Sequence, residues 1–460
     1  MPVIETKSAA EADNKVVILA AGEGKRLKTK KKNETKAQIK VYGLSLIQRA
    51  ILSAKKAGLN NFIVVVGYKK EILISYLKKI SKIHNVNIEI VENPQWKKGN
   101  GTSVYACHDR IKGNFFILMC DHLFDKSILT ELFRKTPPEN GAILAIDKNV
   151  DKVFDLDDAT KVQHQNGNIV NIGKNLKSFN AIDTGIFFCT PTIFTALESA
   201  FRERKYSLSD GISRIINLNK MKAYDIGSRF WLDIDTEGSL KYAKRALLSQ
   251  LNKISEDGFI SRFVNRPISK RISVMLSYFP ISPNIITIIG FIVGMVAGIM
   301  FIKGNYFFTL FAGLLVQLSS IIDGCDGEIA RLKFQGTPFG AWFDTILDRY
   351  VDTAISIGIG YSFWLTHPGV LPWIGCILAL VGFILASYLK KEYFRRYFKE
   401  MPKSFIRTLT KRDFRLFAIF IGAIINEPYW ALISIGVVSH IGIGWSFAEI
   451  YFSKNHSGRI

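Results

Sequence analysis

The chain predicts an α/β domain on a Rossmann-like sheet, followed by an all-α domain of six transmembrane helices. Three observations lead there. Short apolar runs alternate with helical stretches in the first 270 residues, residues 280–455 are dominated by long apolar runs, and short turns divide those runs at bilayer length. At 460 residues the chain is too long for one core, and it reads as a soluble half joined to a membrane half.

In the soluble half, KVVILA (15–20) is an apolar run ending in AGEGKR, the pattern of a buried strand feeding a glycine loop. Similar runs recur at 62–68, 87–92, 115–121 and 141–147. Between the first two, SLIQRAILSAKKAGL (45–59) has helical periodicity, with Gly58 as its stop. Alternating strands and helices imply a mostly parallel sheet covered on both faces, with ligands at the carboxyl ends of its strands.

The joint between the halves is GFISRFVNRPISKRISVMLSYFP (258–280). It sets Phe259, Phe263, Ile268, Ile272 and Leu276 among Arg262, Arg266, Lys270 and Arg271, as in an amphipathic helix on a membrane surface, interrupted near Pro267. Beyond it six spans are expected, at about 283–302, 306–322, 342–365, 371–389, 414–426 and 428–451. The turns KGN, THPG and NEP are nearly uncharged, whereas residues 390–415 hold ten Lys or Arg against three acids. That asymmetry places the basic loop, the loop at 333–341 and both termini in the cytoplasm. The expected division is a flexible N-terminus (1–14), a cytoplasmic α/β domain (15–250), juxtamembrane linker helices (251–280) and a transmembrane domain (281–455).

A formal charge of +22 suits an anionic membrane surface or phosphate-rich substrates. Neither an RNA-binding aromatic signature nor a helix-turn-helix pattern accompanies it, so the lipid bilayer, and no nucleic acid, is the expected partner. The five cysteines form no CxxC pair, which argues against a zinc site or a disulfide framework. MPVIETKSAAEADNK at the start has no apolar core, so no signal peptide is expected.

Five aspartates interrupt the apolar half between 321 and 352. Asp323 and Asp326 stand three apart, and Asp344 and Asp348 four apart, so each pair shares a helix face. Two antiparallel helices would aim four carboxylates at one point, where they repel unless cations sit among them. Hard oxygen donors of that kind suit Mg²⁺ or Mn²⁺. Asp352 falls one turn beyond and reads either as support for the site or as structural.

The spacing D-x2-D-G-x2-A-R-x8-G-x3-D-x3-D, from Asp323 to Asp348, resembles the CDP-alcohol phosphotransferase family without departure. The resemblance implies six transmembrane helices, a homodimer, a two-metal aspartate site, and transfer of a phospho-group from a CDP-linked donor to an alcohol with release of CMP. By position, Asp323, Asp326, Asp344 and Asp348 would hold the metals, and Asp348 would also take the proton of the acceptor hydroxyl. Gly327, Ala330, Arg331 and Gly340 would lie along the nucleotide. An ion transporter is the rival from another class, but it would show midplane ionisable residues and an internal repeat, and neither is seen.

LAAGEGKRL (19–27) presents Ala20, Ala21, Gly22, Gly24 and Arg26 after a strand, where backbone amides can point at an anion. TKAQIK supplies Lys36 before a helix, KGNGTS (98–103) a second glycine loop, and Asp121 ends a buried strand, while WLDIDT brings Asp233 and Asp235 late in the domain. Together these resemble sugar-nucleotide pyrophosphorylase-like nucleotidyltransferases over residues 14–245, which implies a mixed sheet. The resemblance assigns the triphosphate to Gly22, Gly24 and Arg26, a phosphate contact to Lys36 or a neighbouring lysine, and one or two Mg²⁺ to Asp121 with Asp233 or Asp235. Gly101, Thr102 and Ser103 would face the base, with Lys174 and the DTG at 183–185 toward the acceptor phosphate. Thr35 replaces the family's usual proline, and KTKKKNETK (28–36) is an unusual lysine-rich loop, either a solvated face or a basic flap over triphosphate.

One half thus resembles a maker, and the other a consumer, of a CDP-alcohol. The fusion resembles bifunctional enzymes that make CDP-inositol from CTP and inositol 1-phosphate. These then transfer phosphoinositol to a second inositol 1-phosphate, giving di-myo-inositol phosphate phosphate. Lys403, Arg407, Lys411, Arg412 and Arg415 of the basic loop would bind the acceptor phosphate, or else set topology and meet lipid headgroups. The alternatives are a phospholipid synthase acting on a lipid alcohol, and a transporter or scaffold with a nucleotide-sensing domain.

Overall fold

The computed structural model describes residues 15–27, 33–251, 258–399, 401–402 and 404–457. The N-terminal segment expected to be flexible, most of the lysine-rich loop and Lys403 lie outside the described residues. The chain divides into two units, Met1–Ala246 and Leu247–Ile460.

The first unit is built on a mixed sheet. Its strands are β1 (Val16–Ala20), β2 (Lys40–Val41), β3 (Leu44–Ser45), β4 (Asn61–Val66), β5 (Asn87–Glu92), β6 (Phe115–Met119), β7 (His122–Phe124) and β8 (Ala142–Asp147). They continue with β9 (Lys161–Gln165), β10 (Asn168–Gly173), β11 (Ala181–Cys189), β12 (Met221–Asp225) and β13 (Trp231–Asp233). Nine of them form one sheet in the order β5-β4-β1-β6-β11-β8-β12-β10-β9. The first four run parallel, as the alternation of strands and helices predicts. The second half departs from a mostly parallel sheet, because β11 enters antiparallel between β6 and β8, and β10 and β9 follow as an antiparallel pair. A short turn joins β9 to β10, which favours their antiparallel pairing.

The helices are α1 (Leu46–Lys56), α2 (Lys70–His84), α3 (Asn100–Tyr105), α4 (Lys126–Phe133), α5 (Thr192–Arg202), α6 (Leu208–Asn217) and α7 (Glu237–Gln250). Ser45 starts α1 by a reciprocal cap, its hydroxyl accepting from Gln48 N–H while Gln48 Oε1 accepts from Ser45 N–H at 3.0 Å. Gly58, at φ +96°, follows its end as predicted. Apolar side chains cover both sheet faces, one around Val16, Ile18, Val64 and Phe116, the other around Val17, Val65, Phe115 and Ile117. β1 is buried on both faces, which is why its sequence is continuously apolar.

In the second unit a short stretch of π-helix, Ser261–Asn265, leads into α8 (Arg266–Ser277), with Pro267 in its first turn. Asn265, just before α8, and Ser269, Ser273 and Ser277 within it are buried at successive four-residue intervals, while Phe259, Phe263, Ile268 and Met275 are exposed. A small-residue face against protein and bulky apolar groups outward is the distribution expected at a lipid interface. Glu328 is fully buried beneath this helix, 2.8 Å from Arg266 Nη1 and accepting from Ser269 Oγ at 2.7 Å.

The remaining helices are α9 (Pro283–Phe301), α10 (Tyr306–Leu332), α11 (Pro338–Thr366), α12 (Leu371–Tyr397), α13 (Phe405–Leu409), α14 (Arg412–Ile424) and α15 (Pro428–Ser457). A helix occupies each of the six stretches expected to span. Four of them, at Pro283–Phe301, Tyr306–Leu332, Leu371–Tyr397 and Pro428–Phe452, are long and apolar enough to cross a membrane. The other two are α11, with four charged residues in its first half, and α14, with 13 residues. α9 and α11 approach closely because a Cβ at Gly298 would meet the Ala354 backbone at 2.7 Å.

Phe116 is fully buried and stacks on Phe188 with centroids 4.2 Å apart. Phe116→Ala should destabilise the first unit by about 3–5 kcal/mol. Denaturant unfolding followed by that unit's tryptophan fluorescence measures the loss.

Candidate active sites

The first site lies where β1 and β6 end side by side. Strand β6 hands on to Asp121 and then to β7, and the β13–β7 pairing sets Asp233 opposite His122. One ligand atom each from Asp121, His122 and Asp233 falls within 4.8 Å of the others. His122 Nδ1 lies 2.8 Å from the Thr184 carbonyl, an interaction that needs an N–H, so Nε2 is turned toward Asp233 at 3.5 Å and Asp121 at 3.8 Å. Burial opposes a charged imidazole, but the Asp233 and Asp121 carboxylates outweigh it and raise His122 to about 9.

Lys36 sits in a 3-10 turn capped by Thr35, the residue that replaces the family's proline. Its ammonium is buried and joins Asp121 to Asp235. Burial pulls Lys36 down, yet Asp121, Asp235 and Asp233 together hold it well above its ordinary value. Arg26 ion-pairs with both Asp158 and Asp235, and Lys174 reaches the same Asp158 at 2.9 Å. Gly24 is required on two counts, since its φ is +66° and a Cβ there would meet Lys36 Cβ at 2.7 Å.

The structure therefore brings Gly24, Arg26, Lys36, Asp121, Asp233, Asp235 and Lys174 into one connected set, beside Ala20, Ala21 and Gly22 at the end of β1. KGNGTS differs from the expected loop: Gly101, Thr102 and Ser103 form the first turn of α3. The Thr102 and Ser103 hydroxyls are buried and each accepts from Asn93 Nδ2 at 2.9 Å. Asp183 accepts from Gly185 N–H at 2.7 Å, and burial raises it to about 6. Of the two open alternatives, Asp233 groups with Asp121 and His122, whereas Asp235 is engaged by Lys36 and Arg26. Asp233 Oδ1 is buried without a hydrogen-bond partner among the described residues, so the set fits a divalent cation.

Sequence reasoning missed His122 and Asp158. His122 carried a weak signal, being adjacent to Asp121. Asp158 carried none, because nothing in FDLDDAT distinguishes it from Asp155 and Asp157.

The second site lies between α10 and α11. Asp323, Asp344 and Asp348 each place a carboxylate oxygen within 4.8 Å of the others. Asp326 shares their region but accepts from Thr287 Oγ1 of α9 at 2.5 Å. Asp344 Oδ1 is buried with no hydrogen-bond partner among the described residues, so this oxygen cluster also fits a hard divalent cation.

Arg412 enters from α14, its Nη1 2.9 Å from Asp348 and 3.4 Å from Asp323. Arg415, one turn on, is buried against Asp352 at 3.5 Å. Arg407 is engaged elsewhere, by Glu449 and by Ser446 Oγ at 3.1 Å. Gly327 and Gly340 leave room that a Cβ would narrow, against Arg331 Nη1 at 3.2 Å and Asn284 Oδ1 at 3.1 Å, and Ala330 is half-buried on the same helix as Gly327.

Residues 16–267 match the MobA-like NTP transferase domain, and residues 280–444 match the CDP-alcohol phosphatidyltransferase family. A bifunctional IPC transferase and DIPP synthase of Aquifex aeolicus is 34% identical over 433 residues, 93% of this chain and 96% of that relative. The protein of the same name from Thermococcus kodakarensis is 34% identical, with 88% of each chain covered. Among solved structures, the inositol-1-phosphate CTP transferase from T. maritima aligns with a TM-score of 0.45 and 26% identity, covering 49% of this chain and 91% of that one. The apolar helices and the second match together make this a membrane protein.

His122 contributes stability that is fully present below its unfolded value of about 6.5 and is lost as pH rises through about 9. In metal-free protein the His122 ring should titrate near pH 9 by NMR, and Asp233→Asn should lower that value by at least ~1 unit.

Proposed function

The chain belongs to the family of bifunctional IPC transferases and DIPP synthases, and from that premise we propose that it performs two consecutive transfers on one nucleotide. The first unit joins CTP to inositol 1-phosphate, giving CDP-inositol and pyrophosphate. The second transfers phosphoinositol from CDP-inositol to another inositol 1-phosphate, giving di-myo-inositol phosphate phosphate and CMP. One observation carries the reading: a chain matched nearly end to end by these relatives holds two acidic clusters, one in each unit.

In the first unit, Lys36 and Arg26 exchange their carboxylate partners for the triphosphate, over the backbone of Ala20, Ala21, Gly22 and Gly24. The acceptor phosphate is already ionised at neutral pH, so it attacks the α-phosphorus with little need of a base. Gly101, Thr102 and Ser103 line the base side through backbone atoms, and Lys174 stands toward the acceptor.

In the second unit, Asp348 takes the proton of the acceptor hydroxyl as its oxygen bonds to the phosphorus carrying inositol, and the bond to CMP breaks. Gly327, Ala330, Arg331 and Gly340 lie along the cytidine diphosphate, and Arg412 and Arg415 receive the acceptor phosphate. Asp121 with Asp233 in the first unit, and Asp323, Asp326, Asp344 and Asp348 in the second, would hold Mg²⁺ or Mn²⁺. Such ions neutralise phosphate charge and stabilise attacking and leaving oxygens. We further place six spans in the cell membrane of a homodimer, with the first unit and both termini cytoplasmic, and keep the division at 15–250, 251–280 and 281–455.

³¹P NMR of the detergent-purified protein with CTP, Mg²⁺ and inositol 1-phosphate should show pyrophosphate, CMP and a new species with one phosphodiester and one phosphomonoester. Absence of both pyrophosphate and CMP would overturn inositol as the polyol, and a chloroform-soluble product would indicate a lipid acceptor.

Asp348→Asn should lower the second transfer by about 10²–10⁴-fold while pyrophosphate release continues and CDP-inositol accumulates. Asp121→Asn should stop pyrophosphate release, with CMP still released from supplied CDP-inositol. Loss of both activities in either folded variant would sink the division of labour.

A further inference from the structure

Asp352 stays out of the cluster that Asp323, Asp344 and Asp348 form. It lies one turn beyond Asp348 on α11, 4% exposed, and faces three arginines. Its Oδ2 is 3.2 Å from Arg349 Nη1 and 3.5 Å from Arg415 Nη2, and its Oδ1 is 3.4 Å from Arg412 Nε. Arg412 is thereby stretched between two groups of acids, with Nε on Asp352 and Nη1 on Asp348 and Asp323.

The arginines are built in rather than draped over the surface. Arg415 is 2% exposed and lies over the Phe383 ring, its guanidinium carbon 4.4 Å from the centroid. Arg349 Nη1 also donates to Ser387 Oγ of α12 at 3.0 Å. Even so, Arg349 Nε and Arg415 Nε and Nη1 are buried without a hydrogen-bond partner among the described residues. Buried guanidinium donors left unmet are costly. These free guanidinium donors close to Asp348 suit a phosphate monoester, a near-dianion rich in acceptor oxygens.

We propose that Asp352 is a positioning residue that holds Arg412 and Arg415 in place to receive the acceptor's phosphate beside the Asp348 carboxylate. This rests on the reading of the second unit as a transferase whose acceptor carries a phosphate monoester. Asp352 does not touch substrate. It acts by fixing two guanidinium planes, so its loss weakens acceptor binding while donor binding is preserved.

The test is steady-state CMP release from CDP-inositol by the full-length protein in detergent, with inositol 1-phosphate varied at saturating donor and then the reverse. Asp352→Asn should raise KM for inositol 1-phosphate about tenfold or more and change KM for CDP-inositol less than twofold. Asp352→Glu should recover part of that loss. Equal change in both KM values, or a lower melting temperature with both KM values unchanged, would show a structural role and overturn the proposal.

Arg415→Lys keeps the charge but loses the planar fork, and it should raise KM for inositol 1-phosphate in the same selective way. If it binds the acceptor like wild type, the proposal falls even where Asp352→Asn fails to fold. If wild-type protein releases CMP with free inositol or a lipid alcohol but not with inositol 1-phosphate, the underlying reading fails, and the proposal falls with it.

Discussion

A carboxylate removed from water must be met by positive charge or by hydrogen-bond donors, and both units are organised around that requirement. In the first unit Lys36, Arg26 and His122 answer Asp121, Asp158, Asp233 and Asp235, though Asp233 Oδ1 has no hydrogen-bond donor among the described residues. The second also answers it only in part. Arg412 reaches Asp348 and Asp323 and Thr287 donates to Asp326, but a buried oxygen of Asp344 has no donor among the described residues. Each site thus keeps a buried carboxylate oxygen without a donor among the described residues, an arrangement suited to a divalent cation.

Rigid scaffolds make this charge placement possible. Adjacent parallel strands β1 and β6 deliver the glycine loop and Asp121 to one end of the sheet, and the β13–β7 pair returns Asp233 to the same point. In the second unit the helical period sets Asp323 beside Asp326 and Asp344 beside Asp348, and small residues bring the helices together. Gly298 lets α9 pack on the Ala354 backbone of α11, and the serine face of α8 seats over the buried Glu328.

Much of the fold was legible because local patterns report burial directly. The runs at 15–20, 62–68, 87–92, 115–121 and 141–147 all became strands; four of them are covered on both faces and so apolar throughout, while β5 (87–92) alternates at the sheet's edge. β9 to β13 were not legible in the same way. KVQHQ and NIVNIG are partly exposed toward one edge of the sheet, so they lack a continuous apolar run. The antiparallel entry of β11 is a matter of chain return, which periodicity does not encode. KGNGTS looked like a loop because of its glycines, yet Gly101 tolerates the helix and is held by the Tyr206 carbonyl at 3.0 Å.

The sequence by itself determined the two-part architecture, the place of the six C-terminal helices and the aspartate spacing, because these follow from hydropathy and from the fixed period of a helix. It also named most of the charged residues that gather at each site. Tertiary structure decided which of them meet. Asp158 joins Arg26 to Lys174, His122 stands between Asp121 and Asp233, Arg407 turns to Glu449, and Asp352 binds three arginines drawn from two helices. Partnership between charges depends on distance and on exclusion from water, and for residues up to 209 positions apart only the packed chain sets either one.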